Sequence, residues 1–304
     1  MLQTPWASRT TPKRPRFARW REPRVLIADL VLLIGAVALV LPTMIEVARF
    51  NWSTEQGGHG PLVLASGLWL IWRELKHSAA MPKMGSLTVG IPLLLLSLGV
   101  FILARITGIL EIEAFAMYGA IVSGAYLLVG SAVIRSVWFP LVYLAFALPP
   151  PDTVVAAVTQ PMKILISSTA VSLLHAFGLP IASSGVTIQI GQYQLLVAAA
   201  CAGLNSIITL SALCTFYMYL RHGANIAAFA LVCAAVIPVA VFANFVRVVT
   251  LILITYYFGD SAGQGFVHEA AGLLLFVVSL VTIFAIDNAV WPLIRPKNRK
   301  SLAQ

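Results

Sequence analysis

Charge is what this sequence has least of. Only 10% of its 304 residues are Asp, Glu, Lys or Arg, where a soluble domain carries roughly 25%. That shortage, with 60% hydrophobic residues and a mean hydropathy of +0.91, excludes a soluble globular domain. Alternation of polarity is also missing from the apolar runs, which excludes a membrane barrel and leaves helices near the ~20 residues needed to cross a bilayer. Cysteine is scarce: Cys201, Cys214 and Cys233 are the whole set. They form no CxxC and no Cys/His ligand spacing, so neither a metal nor a cofactor is expected. Cys214 and Cys233 fall within apolar runs and read as small buried hydrophobes.

Basic residues outnumber acidic ones, 20 to 11, for a net charge of +9, but the excess sits at the ends. Residues 1–24 hold seven basic side chains, and Arg295, Lys297, Arg299 and Lys300 close the chain. The charge therefore reports orientation, with basic tails 1–24 and 295–304 on the cytoplasmic side, and not nucleic-acid binding. Residues 25–294 form a single transmembrane domain whose partner along its length is the lipid bilayer.

Within that domain, spans are expected at about 25–43, 61–73, 87–106, 113–132 and 136–149. The last ends at Pro149-Pro150-Pro151-Asp152, which no helix crosses. Three more follow at about 202–220, 226–257 and 268–291. Residues 153–178 are long enough to span. Counting them makes nine crossings, however, and two cytoplasmic tails need an even number, so they read as an interfacial helix. Ile181 to Val197, with Val186, Ile188 and Ile190 alternating with Thr187 and Gln189 and a turn at Gly191, reads as a short β-hairpin on the periplasmic side. The expected fold is thus an all-α polytopic membrane protein of about eight transmembrane helices, an interfacial helix and that hairpin.

Eight crossings place three polar points at one depth. Cys201 lies 20 residues before Arg221, Arg247 lies 22 after Asn225, and His268 lies 23 before Trp291. At 1.5 Å per residue each separation is roughly 30–35 Å, the hydrocarbon thickness. All three therefore belong at the outer membrane–water boundary. A thiolate is a nucleophile, and a nearby cation lowers the thiol pKa. Histidine as a residue type changes charge near neutral pH, so His268 suits a general acid and base. Arg247 keeps its charge and suits an oxyanion or a carboxylate. Gly203 and Leu204, at a helix start, can offer backbone N–H groups, and Asn205 and Asn244 can support by hydrogen bonding. His77 and His222 fall on the inner side. His59, on the outer side, is an accessory or a rival to His268.

Six stretches carry a resemblance: His59-Gly60-Pro61-Leu62-Val63, Phe139-Pro140 through Asp152, Thr159-Gln160-Pro161, Ala200-Cys201-Ala202-Gly203-Leu204-Asn205-Ser206, Asn244-Phe245-Val246-Arg247-Val248 and His268-Glu269-Ala270-Ala271-Gly272. In this order, over most of residues 55–285, they resemble the exosortases, of the exosortase/archaeosortase group of membrane transpeptidases. The family's cysteine, arginine and histidine fall on Cys201, Arg247 and His268. Where the family usually has an acidic residue and a serine around its cysteine, this chain has Ala199 and Ala202.

The resemblance implies a cysteine transpeptidase or peptidase of a bacterial inner membrane, its active site facing the periplasm. Its substrates would be exported proteins with a C-terminal PEP-CTERM-type sorting signal, namely a short Pro-Glu-Pro-type motif, a transmembrane helix and a basic tail. Cleavage would run through a Cys201 thioester, in association with exopolysaccharide. A transporter or exopolysaccharide-export partner, with Arg247 and His268 lining a pathway, is the alternative from another class. A non-catalytic exosortase-like binding protein is suggested by the alanines beside the cysteine.

Overall fold

The computed structural model describes residues 23–54, 57–185, 187–196, 203–223, 225–259 and 266–294. Helix α1 is Pro23–Val47, prolonged by a π-turn at Ala48–Trp52, and α2 is Gly60–His77. Then come α3 (Leu87–Thr107), α4 (Leu110–Ser136), α5 (Trp138–Leu144, continued by a 3-10 turn at Ala145–Ala147) and α6 (Asp152–Ala176). Strands β1 (Ile181–Ser184), β2 (Thr187–Ile190) and β3 (Tyr193–Leu196) precede α7 (Gly203–His222), α8 (Ile226–Phe258) and α9 (Phe266–Ile294). The helices carry large apolar side chains on their outer surfaces, among them Leu30 to Ile34, Leu95, Leu96 and Leu103. Only a bilayer suits such a surface. The chain is a helical, multi-pass membrane protein.

The expected hairpin is a three-stranded antiparallel sheet in the order β1-β2-β3, with Ile181 opposite Ile190 and Ile190 opposite Tyr193. The Gly191 turn was legible. A second turn at Ser184-Gly185, where Gly185 takes a φ of 62° that glycine adopts without strain, makes the third strand. Ile181, Ile188 and Ile190 face Ile166, Ala170 and Leu174 of α6 and Val248 and Ile252 of α8, so the sheet is clamped between two helices.

Five helical stretches among the described residues are long and apolar enough to cross a membrane: Asp29–Trp52, Leu87–Thr107, Leu110–Ser136, Asp152–Ala176 and Ala234–Phe258. This measure does not give the expected eight. Helix α2 carries Arg73, Glu74 and Lys76 in its last turns. The span expected at 136–149 is broken into α5 and its 3-10 turn. In α9 the apolar stretch that qualifies is the shorter Phe276–Val290.

Helix α4 is kinked at Gly130 (φ 79°, ψ 177°). The kink frees carbonyls that an extended neighbour takes up: Lys83 N–H donates to Val129 O at 3.2 Å and Gly85 N–H to Leu127 O at 3.1 Å. In a bilayer such pairing is obligatory. A Cβ at Gly130 would lie 2.2 Å from the Lys83 carbonyl oxygen, and backbone cannot step aside as a side chain can. Gly130→Ala is therefore expected to destabilise the protein by about 2–4 kcal/mol. Thermal unfolding in detergent would show it as a loss of several degrees; an unchanged midpoint would contradict the packing described.

Two ends of the helix array can be told apart. At one, Phe139 of α5 stacks on Tyr219 of α7 with centroids 3.9 Å apart, and Trp69 of α2 lies 6.3 Å from Phe216 of α7. This end collects the ends of α2, α4 and α7 and the starts of α3, α5 and α8. At the other, Trp52 donates from Nε1 to Ala147 O at 2.9 Å, and Arg105 bonds Glu113 at 2.5 Å and reaches Glu46 at 3.4 Å. That network, closed by Thr43 Oγ1 donating to Glu113 at 2.7 Å, joins the end of α1 to α3 and α4. Helix α6 keeps to this second end. Asp152 and Val155 line a cavity there, while its last turns pack on Val248 and Ile252 and the sheet, toward the C-terminal end of α8. By length and composition α6 is also one of the stretches able to cross a membrane.

A candidate active site at the cavity end

Three helices carry the polar motifs, and α7, α8 and α9 pack against one another. Their relative heights follow from two contacts. First, His222 of α7 meets the buried Asp287 of α9, Nε2 to Oδ1 3.0 Å. Gly203 precedes His222 by nineteen residues, and His268 precedes Asp287 by nineteen. With both helices running the same way, the backbone positions of Gly203 and His268 are level, each about 28 Å from the pair. Second, Leu210, Cys214 and Met218 of α7 share a core cluster with Val236 and Ala240 of the antiparallel α8 and Ile283 of α9. Gly203 lies seven residues above Leu210, and Arg247 seven above Ala240. The start of α7 and the helix positions of Arg247 and His268 therefore occupy one layer.

This layer faces the sheet. Strand β3 contacts α8 and ends at Leu196, and α7 starts at Gly203. Cys201 and its neighbours Ala199, Ala200 and Ala202 lie outside the described residues, as do the side chains of Leu204, Asn205 and His268. Arg247 is half-buried, and Asn244, one turn earlier on the same face, is 7% exposed. The Asn244 Oδ1 has no hydrogen-bond partner among the described residues. A buried amide oxygen left open costs free energy, which marks this face of α8 as polar where its neighbours Val248 and Ile252 are core.

His59 caps α2 and contacts the Phe146 carbonyl through Nε2 at 3.2 Å, so its ring is tied to the end of α5. It lines a cavity of about 460 Å³. The walls include the carboxylates Glu46, Glu111 and Asp152, the polar Asn51 and Thr54, and the apolar Leu148, Pro149 and Pro150. Ile208 of α7, five residues after Gly203, completes one side. His59 thus belongs to the cavity beside the layer that holds the helix positions of Arg247 and His268. The cavity was not foreseen from sequence. Its signals were the stiff Pro149-Pro150-Pro151-Asp152 stretch, which read only as punctuation, and the acidic start of α4. Among the described residues no group of His, Cys, Asp and Glu could hold a metal ion.

At the far end, Asp287 is fully buried and receives Arg221 at 3.0 Å, His222 at 3.0 Å and the Tyr217 hydroxyl at 3.1 Å. Arg221 also donates to Asn288 Oδ1 at 2.6 Å. This cluster fixes the register of α7 against α9 and so the level of the opposite layer.

These features define a multi-pass helical membrane protein with a cavity at one end of its helix array. The chain matches the model of the transmembrane exosortase family over residues 52–285, which takes in all six stretches noted in the sequence, and it belongs to that family. Neither the curated proteins nor the solved structures compared with it include a match.

Proposed function

We propose that this exosortase family member is a cysteine transpeptidase or peptidase that cleaves C-terminal PEP-CTERM-type sorting signals of exported proteins at the periplasmic face of the inner membrane. The observation that carries this reading is the family match across residues 52–285, joined to the helix register that levels the start of α7 with Arg247 and His268.

In this reading the Cys201 thiolate attacks the carbonyl carbon of the scissile peptide. The C–N bond breaks, His268 gives the leaving amine its proton, and the acyl group stays on sulfur as a thioester. Arg247 stabilises the oxyanion of each tetrahedral intermediate. Backbone N–H groups of Gly203 and Leu204, free at a helix start, aid it. Asn205 and Asn244 orient these groups. Water or an acceptor nucleophile then attacks the thioester, the C–S bond breaks and the thiol is restored.

The same reading makes eight crossings of α1, α2, α3, α4 to its kink, the broken passage from Gly130 to Ala147, α7, α8 and α9, with α6 along the periplasmic boundary. Support comes from the basic residues Arg73, Lys76, Lys83, Arg135 and Arg221, which gather at the end away from the cavity, as cytoplasmic loops do. Single cysteines labelled from outside intact cells with an impermeant maleimide test the topology. Positions near Thr54 and Gly191 should react and positions near His77 and Arg221 should not; the reverse pattern would overturn the orientation.

Co-expression with a tagged protein carrying a sorting signal tests the activity. Wild-type cells should convert the tagged protein to a smaller form, and Arg247→Ala should slow conversion by at least about 100-fold at an unchanged level of enzyme. Conversion at the wild-type rate would remove Arg247 from the chemistry. Steady conversion without any enzyme would remove the proposal itself.

A further inference from the structure

We infer that the cavity beside the catalytic layer is a subsite for a primary ammonium group, carried either by the acceptor that resolves the thioester or by a basic side chain of the substrate next to the scissile bond. The inference rests on the activity just proposed and adds what the neighbouring site takes.

Place and shape come first. The cavity, about 460 Å³, opens at the end of the array that holds the layer of Arg247 and His268, and Ile208, on the second turn of α7, forms one of its walls. A ligand in it therefore lies within a few residues of the start of the helix that follows Cys201. Its apolar wall is Leu148, Pro149 and Pro150. These prolines have fixed φ and no N–H to satisfy, so that wall is preorganised and keeps its shape when filled.

Charge then selects the occupant. Glu46, Glu111 and Asp152 all line the cavity. Glu46 has Arg105 as a partner at 3.4 Å, but neither Glu111 nor Asp152 is in an ion pair among the described residues. Among the described residues no lysine or arginine lines the cavity. Two carboxylates without an ion pair among the described residues, beside an apolar wall, favour a cation over an anion or a neutral group. Asn51 and Thr54 add oxygen acceptors suited to the three N–H bonds of an ammonium. Both Glu111 and Asp152 stand in the first turn of a helix, where a carboxylate also favours the macrodipole. A role confined to the macrodipole would affect stability alone, so the test reads binding.

The probe for binding is lysine methyl ester, titrated into the full-length Cys201→Ala protein in lipid nanodiscs by intrinsic tryptophan fluorescence, since Trp52 adjoins the cavity-lining Asn51. Glu111→Gln with Asp152→Asn should weaken binding at least tenfold, and Glu111→Asp with Asp152→Glu should restore most of it. Thermal unfolding of each variant separates lost binding from lost folding. Equal affinity in folded variants would overturn the inference.

Two further arms, with Cys201 intact, separate the sources. If the ammonium belongs to the acceptor, the ratio of amine adduct to hydrolysed product at fixed lysine methyl ester falls in the Gln/Asn variant. If it belongs to the substrate, preference for a substrate with Lys over Gln beside the cleavage site falls instead. No change in either ratio would overturn the subsite. Processing that persists in Cys201→Ala would instead overturn the proposed activity, leaving the binding result to stand alone.

Discussion

Cys201→Ala is expected to abolish conversion of a sorting-signal protein, with loss of at least about 1,000-fold, because a nucleophile has no substitute within an acyl-transfer site. Cys201→Ser should remain nearly as inactive: a hydroxyl is far harder to ionise than a thiol, and Arg247 and His268 are suited to a thiolate. Neither variant should lower the amount or thermal stability of the protein. Both replacements are close to cysteine in size, and Cys201 lies between the sheet and α7 in sequence, outside the described residues. Measuring conversion by mass shift alongside membrane levels of the enzyme checks both halves. Conversion by the alanine variant at even a tenth of the wild-type rate would move belief to a role in binding or transport.

The second large effect is expected far from the chemistry. Asp287→Ala leaves His222 and Tyr217 facing an empty acceptor site inside the protein. Arg221, 38% exposed, can turn to water, so its share of the cost is small. His222 is only 4% exposed and cannot. Removing one partner from a buried hydrogen-bonded cluster costs about 2–4 kcal/mol, visible as a thermal midpoint lower by several degrees. Activity should fall as well, because the same cluster sets how α7 stands against α9 and hence how the start of α7 meets His268. Asp287→Asn, which keeps the acceptor for Tyr217, should lose less on both measures. Full activity in a destabilised Asp287→Ala protein would show that the register is held elsewhere.

These two residues show what the sequence could reveal and what it could not. Cys201, Arg247 and His268 stand out in the sequence because each breaks an apolar run, and their distances from the inner positions Arg221, Asn225 and Trp291 give one expected depth. The helix register now gives the same level for Gly203, Arg247 and His268 from unrelated contacts. Asp287 was invisible as a partner of His222. The two lie 65 residues apart, and nothing local announces a pairing between helices. The third strand was missed because Ser184-Gly185 was not read as a turn. The kink at Gly130 was missed because the segment that pairs with it, Lys83 to Gly85, lies over forty residues away in sequence. Helix α6 shows the opposite case. Its apolar length argues for a crossing and charge parity argues against one, while its last turns pack on the sheet and α8.

The central claim is a covalent acyl group on Cys201. Purified enzyme in nanodiscs, quenched with acid during turnover of a tagged substrate and digested, should yield the peptide containing Cys201 with the mass of the substrate fragment added. Hydroxylamine should remove that mass, as it does from thioesters, and His268→Ala should lower its yield by slowing departure of the amine. Cleaved substrate with an unmodified Cys201 peptide at every time point, or an adduct on another residue, would contradict the account.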